Sequence, residues 1–163
     1  MKKLFVIAIS LIFSQAIWAQ KFIVPTIPGE IEKSEYANYA QDFISCVDWL
    51  ENHSTTATQR KEVNSYALWW MAGSPDVNIK VTPDLADFNN GDLLILYMGS
   101  WSRHIINNPK ASNVDGCMAG TETIINYYLK HKDSLGKNKC IENLVKLEKK
   151  GSLRQFVENS LSK

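Results

Sequence analysis

The stretch Asp92–Asn107 reads Asp-Leu-Leu-Ile-Leu-Tyr-Met-Gly-Ser-Trp-Ser-Arg-His-Ile-Ile-Asn, and Leu93 to Met98 leave almost no polar face. Trp101, Ile105 and Ile106 carry the apolar side another turn and a half. Asn90 or Asp92 is placed to cap its start, and Pro109 stops its end. A helix apolar nearly all round must be covered by other elements. The expectation is therefore a compact all-α bundle of five to six helices packed around a buried central helix at 92–107.

Patterning on either side supplies the other helices. Tyr36, Tyr39, Ala40, Phe43, Val47 and Leu50 recur at three- and four-residue steps, predicting a helix over 35–51 opened by Ser34. Thr56 or Thr58 starts a second, with Val63, Tyr66, Ala67 and Trp70 as its buried stripe and Arg60, Lys61 and Glu62 on its wet face. Gly73-Ser74-Pro75 ends it, with Gly73 as a C-cap at positive φ; Gly73→Val is then expected to cost about 1 kcal/mol. Trp69 is either covered or part of an exposed patch, and covering is favoured. Val77, Ile79 and Val81 alternate with Asn78, Lys80 and Thr82, as in an extended connector at 77–81 with one side buried. Ser112 or Asn113 caps a helix running to about His131, on which Gly116 and Gly120 share a face. Close approach of another helix is the favoured reason for that pair, and a ligand or partner the alternative. Asn138 and Ser152 cap two further helices, the first ending at Gly151.

The ends set the compartment. Met1-Lys2-Lys3, the apolar run Leu4–Phe13 and Ala16-Ile17-Trp18-Ala19-Gln20 have the form of a secretory signal peptide, with cleavage expected after Ala19. The run is short for a membrane span. The domain plan is a signal peptide at 1–19, an extended segment at 20–33 and one helical domain at 34–163, the product being periplasmic or secreted. Asn52-His53-Ser54 matches a glycosylation sequon, but the Lys-Lys start reads as bacterial and the match is set aside. About 144 mature residues suffice for a real core without metals or disulfides. With 18 basic and 17 acidic side chains in the whole chain, no net field attracts nucleic acid or an anionic membrane.

The sequence is poor in chemistry. His53, His104 and His131 have no second ligand at i+3 or i+4, and no Cys lies at zinc-finger spacing, so neither metal nor cofactor is expected. His131, between Lys130 and Lys132 at a helix end, reads as a cation on the negative end of the dipole. Ser74 and Ser100 lack the strand that precedes a nucleophile elbow. Cys46 and His53 are seven apart, but the helix should end between them. No catalytic residue is assigned on this basis.

Cys46-Val47-Asp48-Trp49-Leu50, Ala67-Leu68-Trp69-Trp70-Met71-Ala72-Gly73-Ser74-Pro75 and Leu94-Ile95-Leu96-Tyr97-Met98-Gly99-Ser100-Trp101 together resemble a group of small exported proteins of Bacteroidota-type bacteria. The resemblance implies an exported helical domain and no particular chemistry. Cys46, Trp49, Leu50, Trp70 and Gly73 are also faintly similar to the periplasmic acid chaperones, which are shorter and carry one disulfide. Two functions from different classes follow. The leading one is a non-enzymatic binding or interaction protein with a protein partner, an acid-stress chaperone being one form of it. The other is an exported hydrolase whose site joins Ser74 or His104 to Asp76 or Asp87 across the fold.

Export to an oxidising compartment allows one disulfide and a free thiol among Cys46, Cys117 and Cys140; three buried hydrophobes is the other reading. Counting from the turn near 133–136, Cys117 lies about 17 residues back, or roughly 26 Å along its helix, and Cys140 about six forward, or roughly 9 Å. Antiparallel neighbours then hold these Cα atoms beyond the ~7 Å limit for a bridge. Mass mapping of the non-reduced protein is expected to contain no linked Cys117–Cys140 peptide, and such a peptide would refute the antiparallel pairing.

Overall fold

The computed structural model describes residues 22–163, and the expected signal peptide at 1–19 lies outside them. Among the described residues the fold is all-helical, with no strand. A 3₁₀ helix at Lys33–Tyr39 leads into α1 (Ala40–Asn52), α2 (Arg60–Gly73), α3 (Pro83–Ala86), α4 (Gly91–Asn107), α5 (Asn113–Leu135), α6 (Lys139–Lys149) and α7 (Leu153–Leu161). The seventh helix beyond the expected five or six is α3, a single turn opened by Pro83 at its first position.

Helix α4 packs most extensively on α5 and also touches α1 and α2. Three glycines bring these helices close. A Cβ on Gly120 would lie 2.7 Å from the Tyr97 carbonyl oxygen, and one on Gly116 would lie 2.3 Å from the Trp101 ring. On the other side, a Cβ on Gly99 would meet Val47 at 3.0 Å. The Gly116–Gly120 pair is thus a seat for α4, as the packing reading of that face anticipates. α4 is not covered all round: Leu94, Ile95, Met98, Ile105 and Ile106 are half-buried, while Leu93, Leu96, Tyr97 and Trp101 are fully enclosed.

The first helix does not run unbroken over 35–51. Its opening turns are 3₁₀, started by a capping box between Glu32 and Glu35 in place of Ser34. The cause is a competing donor. The Tyr36 carbonyl, which an α-helix would give to the Ala40 N–H, accepts the Trp70 indole N–H at 2.9 Å. The Ala40 N–H turns to the Ala37 carbonyl. Trp69 is then covered by Tyr36 and Tyr39, with ring centroids at 5.0 and 5.6 Å.

Gly73 is not at positive φ; among the described glycines only Gly136 and Gly151 are. The C-cap of α2 is Ser74, at φ −67°. Gly73 instead makes room for the Tyr36 ring: a Cβ there would fall 1.9 Å from Tyr36 Cζ, and the ring would have to shift. The 77–81 connector is extended with Val77 and Ile79 half-buried, but Val81 faces solvent, 44% exposed. Lys80 reaches over to donate to the Leu161 carbonyl at 3.0 Å.

The α4–α5 seat is open to measurement. In a helix interior Gly→Ala ordinarily stabilises by about 1 kcal/mol. Gly120→Ala is expected to do the reverse, lowering stability by about 1–3 kcal/mol, since the Tyr97 backbone must move. Urea unfolding of Gly120→Ala beside Gly91→Ala, where a Cβ meets nothing within 4 Å, separates the two effects.

Candidate functional site

The sequence-derived candidates do not assemble. Ser74 is buried, and its Oγ accepts the Asp76 N–H at 3.3 Å in the α2 cap. Ser100 is 1% exposed and lies inside α4. Among the described residues no hydrogen bond joins either serine to a histidine. His104 is half-buried in the last turn of α4, Asp76 and Asp87 are exposed, and no hydrogen bond links these three. The Cys46 thiol is fully buried, and burial with Asp42 nearby pushes its pKa up to about 12. His53 turns away from it, stacking on Trp49 with centroids 4.0 Å apart and donating Nδ1–H to the Trp49 carbonyl at 2.8 Å. All three cysteines are free: Cys117 hydrogen-bonds the Tyr97 hydroxyl at 3.2 Å, and Cys140 sits beside the Asp84 carbonyl. Among the described residues no three His, Cys, Asp or Glu side chains are grouped to hold a metal ion.

The polar cluster the fold does build centres on Arg60. Sequence patterning puts Arg60 on the wet face of α2; it is 3% exposed. The correction was legible, because Arg60, Val63, Asn64, Ala67 and Trp70 fall on one helical stripe. Arg60 Nη1 donates to the Leu50 carbonyl at 2.7 Å and the His53 carbonyl at 2.8 Å, so a cation satisfies the free carbonyls ending α1. Its guanidinium also lies over the Tyr127 ring, 5.5 Å from the centroid, and the Tyr127 hydroxyl donates to the His53 carbonyl at 2.8 Å. One charge thus ties together the end of α1, the start of α2 and the middle of α5. Burial lowers the Arg60 pKa, opposed by Tyr127 and Asp92.

Not every group here is satisfied. Arg60 Nε and Nη2 are buried and have no partner, and neither has Asn64 Oδ1. Asn64 Nδ2 donates to Asp92 Oδ1. Both side chains line a pocket of about 340 Å³ with Thr55, Thr56, Thr58 and Asp92. A wider hollow of about 500 Å³ lies between the α3–α4 loop and the α5–α6 turn. There the Tyr128 hydroxyl accepts the Asn138 N–H and donates to Glu142, while Asn138 caps α6. The two unpartnered Arg60 nitrogens are sealed inside the protein, which distinguishes the Arg60 cluster from the other hollows.

His131 borders the same cluster. It is the one residue inside α5 off helical geometry, at φ −116° and ψ 18°, where the predicted helix end lies; α5 resumes and continues to Leu135. Its ring packs on Tyr127 with centroids 4.4 Å apart, and its Nε2 is buried without a partner. Burial first, then Lys130 and Arg60, lowers its pKa, so it is held neutral and does not serve as a cation on the helix dipole. Of the residues that carry the two resemblances, Cys46, Trp49, Leu50 and Trp70 belong to the buried core, while Asp48 and Leu68 are exposed. No protein-family model, curated protein or solved structure matches the chain.

The histidine sets a pH dependence. With a folded pKa below its unfolded value near ~6.5, His131 takes up its proton more readily in the unfolded chain. Stability is therefore retained above that value and lost as pH falls through it. The denaturant midpoint is expected to drop between about pH 7.5 and about pH 5.5, and His131→Gln to flatten that drop. Identical pH profiles for the two proteins would contradict the assignment.

Proposed function

We propose that the chain is an exported, non-enzymatic binding protein, built as a helical bundle with α4 as its hub. The observation that carries this reading is the distribution of unsatisfied and reactive groups. Candidate nucleophiles are sealed in the core or spent on helix caps, as Cys46, Ser100 and Ser74 are. Groups left without partners include Arg60 Nε and Nη2 and Asn64 Oδ1, on two residues that line a pocket, beside single atoms of Tyr66, Thr82, Ser100 and His131. Buried polar groups without partners are costly, and a bound molecule that satisfies or neutralises them recovers that free energy. Such an arrangement favours holding a ligand over transforming one. Export rests on the N-terminal pattern Met1–Gln20.

The experiment is labelling of the purified mature chain with a fluorophosphonate probe, alongside turnover of p-nitrophenyl acetate. Neither Ser74 nor Ser100 is expected to be modified, and hydrolysis is expected at the level of Ser74→Ala. Stoichiometric labelling of either serine, with turnover lost in its alanine variant, would replace this reading by the hydrolase.

A further inference from the structure

We propose that His131 is an acid-operated hinge: on gaining a proton its ring leaves the Tyr127 face, and the end of α5, residues 131–136, swings away from the Arg60 cluster. The inference does not depend on the binding-protein reading.

The first observation is the break in α5. His131 alone inside this helix is off helical geometry, at φ −116° and ψ 18°. The residues after it close on themselves. The Ser134 hydroxyl donates to the His131 carbonyl at 2.9 Å, and the Gly136 N–H donates to the Lys132 carbonyl at 2.9 Å. Gly136 then changes the chain direction at φ 71°. A turn bounded by two non-helical residues can rotate as a unit while the body of α5 keeps its packing on α4.

The second observation is what the ring meets. It packs on Tyr127 with centroids 4.4 Å apart, and the same Tyr127 ring carries the Arg60 guanidinium at 5.5 Å from its centroid. The Tyr127 hydroxyl is already given to the His53 carbonyl. His131 Nε2 is buried and has no partner. A protonated imidazole carries N–H on both nitrogens, so Nε2 would become a charged donor with no acceptor. The residue is half-buried, so a small rotation brings the ring to water.

The third observation is the charge around it. Lys130 in α5 and Arg60 in α2 act on His131, and both are cations. Asp92 of α4 acts on Arg60 and Tyr127 instead. His53, after α1, presents its carbonyl to Tyr127 and stacks its own ring on Trp49. Beyond the break, Lys132 is engaged by Glu142 at 3.2 Å, and Asp133 is exposed. Burial and the two cations all oppose a proton on the packed ring, whereas a ring in water accepts one freely. Acid therefore favours the open position. With an open-state pKa near ~6.5, the open population grows up to about tenfold between about pH 7.5 and about pH 5.5. The moving turn carries Leu135, which walls the hollow of about 500 Å³ beside the α5–α6 turn, so the hinge couples pH to the shape of that hollow.

The test is amide hydrogen exchange of the full chain between about pH 7.5 and about pH 5.5, read by NMR and corrected for the intrinsic pH dependence of exchange. Protection of residues 132–136 is expected to fall up to about tenfold over that range, while Tyr97 and Gly120 keep theirs. His131→Gln, which cannot gain a charge, is expected to hold the protection of 132–136 level. Lys130→Gln, which removes one of the two cations, is expected to reduce the fall. The wild-type ring supplies a readout that needs no variant: contacts between the His131 and Tyr127 rings are expected to vanish along the same pH curve. Ring contacts that persist once His131 is protonated would overturn the proposal. So would an equal loss of protection at Tyr97 and Gly120, which marks global unfolding, or a fall that survives in His131→Gln, which points to His53.

Discussion

Contact between the backbones of α4 and α5 is the constraint on which the rest of the fold depends. A Cβ at Gly120 would press on the Tyr97 carbonyl itself, so the two helix backbones meet directly there. That closeness places Trp101 over Gly116 and brings the Tyr97 hydroxyl to Cys117. With α5 fixed, α4 turns Gly99 to Val47 and extends Arg103 to Asp48 and Glu51 of α1. Dispersion between well-fitted surfaces is weak per atom pair, yet it sums over the whole length of such a contact. The exposed ion pairs of Arg103 add little by comparison.

The Arg60 cluster occupies the second joint, where α1 turns into α2. A buried guanidinium must find acceptors, and the unfinished end of α1 supplies them. This is why the 53–59 turn needs no glycine at a helix C-cap: an arginine from the following helix does that work. The arrangement has a cost, since two donors of Arg60 stay unmatched within the protein.

Much of the fold was legible in the sequence, because it follows from period and caps. Asn90, Ser112 and Asn138 cap their helices through side-chain oxygens, and the stripes of α5 to α7 face inward. The failures came where tertiary contact overrides local preference. Nothing in residues 33–39 announces that an indole 34 positions away takes the Tyr36 carbonyl and tightens the helix to 3₁₀. Gly73 beside Ser74-Pro75 looks like a cap, and only the position of the Tyr36 ring gives its actual reason. For the candidate site, charge misled: Arg60 was assigned outward by residue type although its spacing pointed inward.

The placement of α3 bears on the order in which the chain can consolidate. α1–α2 and α4–α5 are neighbours in sequence, so closing them orders few intervening residues. α3 has no such local partner; it rests on α6 and α7, and Leu85 is fully enclosed there. It and the segment before it are tied to the far end of the chain, through Asp84 to Lys163 and Lys80 to Leu161. The 76–90 passage therefore acts as a latch between the two ends of the bundle. Its opening would expose Leu85, release Phe88 from the Tyr97 ring, 5.7 Å away between centroids, and uncap α4 at Asn90.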